Sequence, residues 1–205
     1  MEVNNLDGYK KRTLQKMENI ELSTIKLLSL PLNDIKIVDI AKLANVSQVS
    51  IYNYYGSKEA LLKAAIVRLM DQQYEGYKKV LSSDIPFSEK IKELFMRKKN
   101  GLEIINLEMF TNLMQKDPEL QEIIMDFTMN KSFKLLISLI DEGRELGLVR
   151  NEVQNQTLLI YIQVLSQSFM NMDSATSQYI QQKEVMDEIM NLFLYGLLKQ
   201  EDSHV

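Results

Sequence analysis

Val38 to Leu62, VDIAKLANVSQVSIYNYYGSKEALL, is the stretch on which the fold turns. It reads as a short helix, a tight turn, a second short helix and the start of a third, the layout of a helix-turn-helix whose second helix enters a DNA groove. In the first helix Ile37, Ile40, Ala41 and Ala44 recur at three- and four-residue spacing and make one apolar face. The two alanines on that face let a second helix cross closely, while Asp39 and Lys42 occupy the opposite side. Asn45 breaks the pattern. Asparagine is the residue other than glycine that best tolerates the left-handed backbone conformation, so it ends the helix and turns the chain. Val46 plugs the corner, and Ser47 is a good N-cap for a helix that begins at Gln48.

The composition of that second helix separates DNA reading from plain packing. Gln48, Ser50, Asn53 and Tyr54 are polar, and only Val49 and Ile51 are strongly apolar. Gln and Asn side chains can bond two atoms of an adenine edge at once, and Ser and Tyr hydroxyls reach phosphate or base. Gly56 permits the next turn, and Ser57 caps a helix whose first residue is Lys58. Unpaired amides and an ammonium at one helix N-terminus make a ready phosphate site. Spacing alone fits an ordinary helical hairpin with a polar outer face as well.

From Ile20 to about Leu69 the chain resembles the N-terminal domain of the TetR family of one-component repressors. In that family one helix ends in Ala-Gly-Val-Ser, the recognition helix ends in Tyr-X-X-Phe, and a short turn leads to Ser-Lys-Glu-X-Leu. The corresponding residues are Ala44, Asn45, Val46 and Ser47, then Tyr52, Asn53, Tyr54 and Tyr55, then Ser57, Lys58, Glu59 and Leu61. Asn45 stands where glycine is usual, Tyr55 replaces the phenylalanine, Gly56 a common proline, and Lys36 a capping threonine. Lys36 cannot cap, so Asn33 or Asp34 holds the helix start, or the start moves by a residue or two. The resemblance implies that Tyr52, Tyr54 and Lys58 touch phosphates and that Gln48, Val49, Ser50 and Asn53 face base edges. Ser47 caps and also contacts phosphate. Tyr55 reads as core.

Length and composition agree with this layout: 205 residues, 45% hydrophobic and 25% charged, are enough for a head and a larger helical body. The expected division is a DNA-binding domain over 1–57, a connecting helix over 58–81 and an effector-binding and dimerisation domain over 82–205. Seven Gly and three Pro leave little punctuation for sheets, and three- and four-residue spacing recurs nearly throughout, so the fold reads as all-α. The chain carries a net charge of −4, yet residues 1–80 hold twelve Lys and Arg against nine Asp and Glu, leaving −7 for the rest. The basic excess therefore sits on the end that meets DNA. Lys10, Lys11 and Arg12 form the densest basic cluster, read as an arm ahead of the first helix that either follows phosphates or is a solvated terminus.

Other function classes find little support. The sole histidine is His204, near the end of the chain, and there is no cysteine, so histidine bases, thiolate nucleophiles and the usual metal sites lack their residues. Asp141 with Glu142 and Glu184 with Glu188 read as surface carboxylates. No phosphate-binding glycine loop is present, and no enzyme activity, cofactor or metal is expected. No apolar run reaches membrane-spanning length and no signal peptide is apparent, so the expectation is a cytoplasmic protein without a membrane partner.

In the body, helices are expected over 88–99, 102–115, 118–147, 154–174 and 178–199, with breaks at Pro86, Gly101, Pro118 and Gly147. The segment EGRELGLVRNEV, which contains Gly147, again resembles the TetR family. Met186, Ile189, Met190, Phe193, Leu194 and Leu197 form one wide apolar stripe, and Leu158, Tyr161, Ile162, Leu165 and Phe169 another. In a monomer both stripes pack on the core. The resemblance implies that they also pair with a second copy in a four-helix interface, through Leu158, Ile162, Met186, Ile189, Met190, Phe193, Leu194 and Leu197. Two recognition helices about one DNA turn apart, ~34 Å, then read a palindromic operator.

Flexible and aromatic side chains concentrate in the middle helices: Met109, Phe110, Met114, Met125, Phe127, Met129, Phe133, Tyr161, Leu165, Phe169 and Met170. They suit either a plain core or a pocket for a small hydrophobic effector, aromatic or cationic, with Glu103, Glu108 or Asp126 beside a cation. The resemblance implies that filling this pocket shifts the connecting helix and releases DNA. The expected function is thus a homodimeric, ligand-responsive repressor. The alternatives are a helical ligand-binding or scaffold dimer without specific DNA binding, or an activator of the same fold.

Overall fold

A helix laid over the helix-turn-helix opens the chain. In the computed structural model, which describes residues 3–180 and 182–197, this helix α1 spans Val3–Ile25. It is followed by α2 (Ile37–Ala44), α3 (Gln48–Tyr55) and α4 (Lys58–Leu81). Lys10, Lys11 and Arg12 lie inside α1 rather than ahead of it, and the Arg12 Nε donates to the Gly8 carbonyl one turn back at 3.1 Å. There is no β-strand among the described residues, and the fold is all-α.

The chain divides into two compact units, Met1–Gln73 with Gly101–Met109, and Tyr74–Asn100 with Phe110–Val205. In the first unit the predicted α2 face is buried as Ile37, Ile40, Ala41 and Ala44. Ile20 from α1, Ile51 from α3, and Leu61, Leu62, Ala65 and Ile66 from α4 complete the core. Removing each large aliphatic side chain from water contributes about 1.5–3 kcal/mol, so this short segment has the apolar area to fix three small helices. As expected, Lys36 makes no side-chain cap. Its backbone is extended, and its carbonyl receives the amides of Asp39 at 3.0 Å and Ile40 at 3.2 Å. Neither Asn33 nor Asp34 takes over the cap; α2 simply begins at Ile37.

The body consists of α5 (Phe87–Glu103), α6 (Leu107–Lys116), α7 (Pro118–Phe127), α8 (Phe133–Glu145), α9 (Asn155–Met170), α10 (Ser174–Ile180) and α11 (Lys183–Leu197). Gly101 does not break the chain: α5 runs through it, and the break falls at 104–106. There Asn106 binds twice, its amide donating to the Leu28 carbonyl at 2.7 Å and its Oδ1 capping the Met109 amide at 2.8 Å. Pro118 starts α7 as predicted, with Asp117 capping Leu120 at 2.9 Å. A π-helical turn, Thr128–Ser132, joins α7 to α8 without interruption.

Gly147 ends this run at φ 75°, and the Leu148 amide closes back on the Gly143 carbonyl at 2.8 Å. Phe87, Leu139, Ile140, Val149 and Leu158 form the core around that corner. The two last helices differ from expectation. The stripe expected over 154–174 ends at Met170, and the one over 178–199 is split into α10 and α11. Asp173 makes the new start, its carboxylate accepting from the Thr176 amide at 2.7 Å and hydroxyl at 3.1 Å.

Candidate nucleic-acid interface

The turn between α2 and α3 is built as the sequence chemistry requires. Asn45 sits in the left-handed region at φ 53°, ψ 49°, and the Val46 amide reaches back to the Ala41 carbonyl at 3.0 Å. Ser47 is extended, and its Oγ accepts the Ser50 amide at 3.0 Å. The Ser47 and Ser50 hydroxyls are also bonded to each other at 2.9 Å, so Ser50 spends part of its capacity on the cap.

Only Ile51 of α3 is buried. Ser47, Gln48, Val49, Tyr52 and Asn53 are exposed, whereas Ser50, Tyr54 and Lys58 are half-buried. Val49 is 67% exposed and Tyr52 48%, far more than two such side chains would be if they served packing. Exposed apolar and amide groups on one short helix, set between two capped turns, are a surface for contact. Val38, Ala41, Lys42, Asn45, Val46, Ser47 and Gln48 line an open groove over the turn.

Lys58 has a partner that spacing did not disclose. Its Nζ donates to the Leu32 carbonyl at 2.5 Å, which pins the loop before α2 and leaves the remaining ammonium donors for other acceptors. Ser57 caps the same helix end through the Ala60 amide at 3.0 Å.

Tyr55 is half-buried, and its hydroxyl has two acceptors on α1. It donates to the Met17 carbonyl at 3.1 Å and to Glu21 Oε1 at 2.9 Å. The other oxygen of Glu21 receives Arg68 Nε from α4, and Arg68 Nη1 reaches Glu18 Oε1 at 3.1 Å. Burial, then the hydrogen bond and the charge of Glu21, push the Tyr55 phenol far above its ordinary range. Burial works against the Arg68 guanidinium, but bonding to Glu21 and the charges of Glu21 and Glu18 outweigh it and raise it. Sequence reading missed this network. The signal was present: a hydroxyl added where the family carries phenylalanine needs a partner once the ring is half-buried.

The residues expected to line a pocket fall in both units. Met109 is buried and belongs to the first unit, while Phe110, Met114, Phe127, Phe133, Tyr161 and Leu165 belong to the second. Met114 is buried, and Phe133 packs against the core around Phe87. Phe127 meets the Tyr74 ring edge-on at 5.8 Å, with Lys131 4.9 Å from its own ring centre. Phe110, Phe127, Phe133 and Leu165 are half-buried and Tyr161 is exposed; the side chains of Phe169 and Met170 lie outside the described residues. Of the acids, Asp126 is exposed and accepts from Asn130 at 2.5 Å.

The expected dimer face is corrected at Leu158. It is 3% exposed and part of the chain's own core, so it is unavailable to a partner. Among the described residues, the large apolar side chains that α9 exposes are Ile160, Tyr161 and Val164, and on α11 Leu192. Ile189 is half-buried, and the side chains of Ile162, Met186, Met190, Phe193, Leu194 and Leu197 lie outside the described residues, as does His204.

No helix among the described residues is long and apolar enough to cross a membrane, and no group of three or more His, Cys, Asp or Glu able to hold a metal occurs among them. Residues 33–65 match the sequence profile of the bacterial regulatory proteins of the tetR family. The HTH-type transcriptional regulator YvaF of Bacillus subtilis is 18% identical over 166 residues, 80% of this chain and 86% of its own. A transcriptional regulator from Saccharomonospora viridis crystallised with choline has a similar fold, with a TM-score of 0.62 at 12% identity over 91% of this chain and 99% of that one. FadR from Bacillus subtilis in complex with stearoyl-CoA gives 0.55 at 16% identity over 85% and 96%. The profile match falls on the capped turn and the exposed α3, so residues 33–65 carry a DNA-binding domain of the tetR type, and the chain is similar over most of its length to an HTH-type transcriptional regulator.

Proposed function

We propose that this chain is a cytoplasmic homodimeric repressor that binds a palindromic operator through residues 1–57 and is released when a small hydrophobic effector binds within 82–205. The helix over 58–81 connects the two parts. The observation that carries the proposal is the outward row of α3, where Gln48, Val49, Tyr52 and Asn53 are exposed while Ile51 alone is buried. In the proposed contact Gln48, Val49, Ser50 and Asn53 face base edges. Ser47, Tyr52, Tyr54 and Lys58 meet phosphates.

Dimerisation is needed because a single eight-residue recognition helix spans only a few base pairs. The stearoyl-CoA complex of one fold neighbour supports an effector with an apolar part, met by the methionines and phenylalanines of the middle helices, and the choline complex of another supports a cationic one. Filling such a site would act on DNA only by favouring one arrangement of the connecting helix over another.

The test is selection of duplexes from a random-sequence pool by the purified chain, followed by footprinting of the enriched sequence. The expected product is an inverted repeat with half-sites about one DNA turn apart, ~34 Å, whose protection is lost on adding a compound that raises the melting temperature. Enrichment of no sequence would remove specific DNA reading. Stabilisation by a compound without release of DNA would remove the switch.

A further inference from the structure

The recognition helix is held on its inner side by very little. Eight residues long, it buries one side chain, Ile51, and the next residue on the same face, one turn later, is Tyr55. A helix fixed at one apolar point remains free to tilt and roll about that point. The Tyr55 hydroxyl supplies the second point, bonded to Met17 and Glu21 of α1. Glu21 is 8% exposed, and its second oxygen is taken by Arg68 of α4. Three helices thus meet at one carboxylate.

A buried ion pair is an inefficient way to add stability, because desolvation consumes most of the attraction. What it offers over an apolar contact is direction. The guanidinium and the carboxylate bond only in defined orientations, and the phenol bonds the carboxylate only where the ring edge meets it. We propose that Tyr55, Glu21 and Arg68 form a polar latch that sets the tilt of the recognition helix against α1 and α4, making Tyr55 and Arg68 positioning residues for DNA reading.

The inference rests on the DNA-reading role proposed above. Base contacts depend on placement to within a fraction of an ångström, whereas phosphate contacts, spread over flexible side chains, tolerate a small tilt. Loss of the latch therefore falls on specific binding and spares non-specific binding. Tyr55→Phe keeps the ring that the family uses and removes only the hydroxyl. Arg68→Lys keeps the charge and removes the fork that spans Glu21 and Glu18.

The experiment uses the full chain, the duplex it enriches from a random pool, and a scrambled duplex of equal length at one salt concentration. Tyr55→Phe and Arg68→Lys are each expected to weaken the enriched duplex about tenfold and the scrambled duplex less than twofold. The double variant should be no more than about twofold weaker than either single one, since both break the same latch. Binding of the enriched duplex by Tyr55→Phe within twofold of the parent chain would overturn the latch. Equal losses on both duplexes would overturn it too, by showing general damage to the head. If Arg68→Lys does not fold, the Tyr55→Phe comparison decides alone. Enrichment of no duplex by the parent chain overturns the DNA-reading role itself and the latch with it, an outcome distinct from the other two.

Discussion

Two glycines inside helices behave oppositely because of what a methyl group would meet. A Cβ on Gly143 would lie 2.5 Å from Val149 Cγ2 and 2.6 Å from Phe87 Cζ, both members of the second unit's core. Neither neighbour is the free end of a flexible chain. At Gly101 a Cβ would stand 3.3 Å from Gln73 Nε2, an amide that can swing away. Alanine gains about 1 kcal/mol over glycine in a helix interior. Overpacking a tight core costs roughly 1–3 kcal/mol. Gly143→Ala is therefore expected to lower the urea midpoint, and Gly101→Ala to raise stability by about 0.5–1 kcal/mol. A stable Gly143→Ala protein would mean that the α8 corner can open without cost. Asn45 makes the complementary point: its φ of 53° is a conformation glycine adopts freely, and asparagine accepts it as the least costly side-chain-bearing choice.

At the scale of elements, the corner between α4, α5 and α8 depends on Lys90, a residue 7% exposed. Its Nζ donates to the Leu81 carbonyl at 3.0 Å, satisfying the last turn of α4, and to Glu142 at 2.8 Å on α8. Lys90→Ala leaves a helix-end carbonyl and a partly covered carboxylate without their donor. The Glu142 side chain is one-third exposed and retains some water, so the expected cost is about 2 kcal/mol, below the 3–5 of a fully buried broken pair. Glu142→Gln, which still accepts the lysine bond, should cost less than half as much, measured by chemical denaturation. An equal cost for both would place the energy in the ion pair and not in the capping of α4.

Element boundaries legible from sequence were those set within a few residues: Asn45, Ser47, Ser57, Pro118 and Gly147 each act through their own backbone angle or a cap three positions away. Gly101 misled because its helix penalty is only about 1 kcal/mol, less than continued packing returns. The start of α10 was missed although Asp173 and Thr176 are a capping pair, because apolar spacing was followed through them. In the candidate interface, the outward set on α3 was readable because all but one of its side chains lack a buried position. The Tyr55–Glu21 bond spans 34 positions of sequence, and no local pattern reports a partner that far away.

At the scale of the whole molecule the apolar stripes raised a question of phase that only packing answers. Spacing gives a helix an apolar side, but α9 has apolar residues on two sides, and the core takes the one containing Leu158. Ile160, 58% exposed, and Val164, 55% exposed, remain outside one turn apart, beside Tyr161. On α11 Leu192 is 74% exposed, and a Cβ on Gly196, one turn further on, would meet nothing. Burying such side chains against a second copy contributes about 1.5–3 kcal/mol each, and an open glycine lets helices approach closely. Val164→Arg with Leu192→Arg is accordingly expected to convert the proposed dimer to a monomer in sedimentation at micromolar concentration. The variant should still melt in one cooperative step, since neither residue belongs to the chain's own core, and below the parent only by what the dimer contact contributes. Affinity for an inverted repeat should fall about 100-fold or more, because the second head is no longer tethered near its half-site. Affinity for a single half-site should stay within about twofold, because α3 is untouched. Leu158→Arg is the contrasting variant and should unfold the second unit instead. A Val164→Arg, Leu192→Arg protein that remained dimeric would show that the copies meet on some other face.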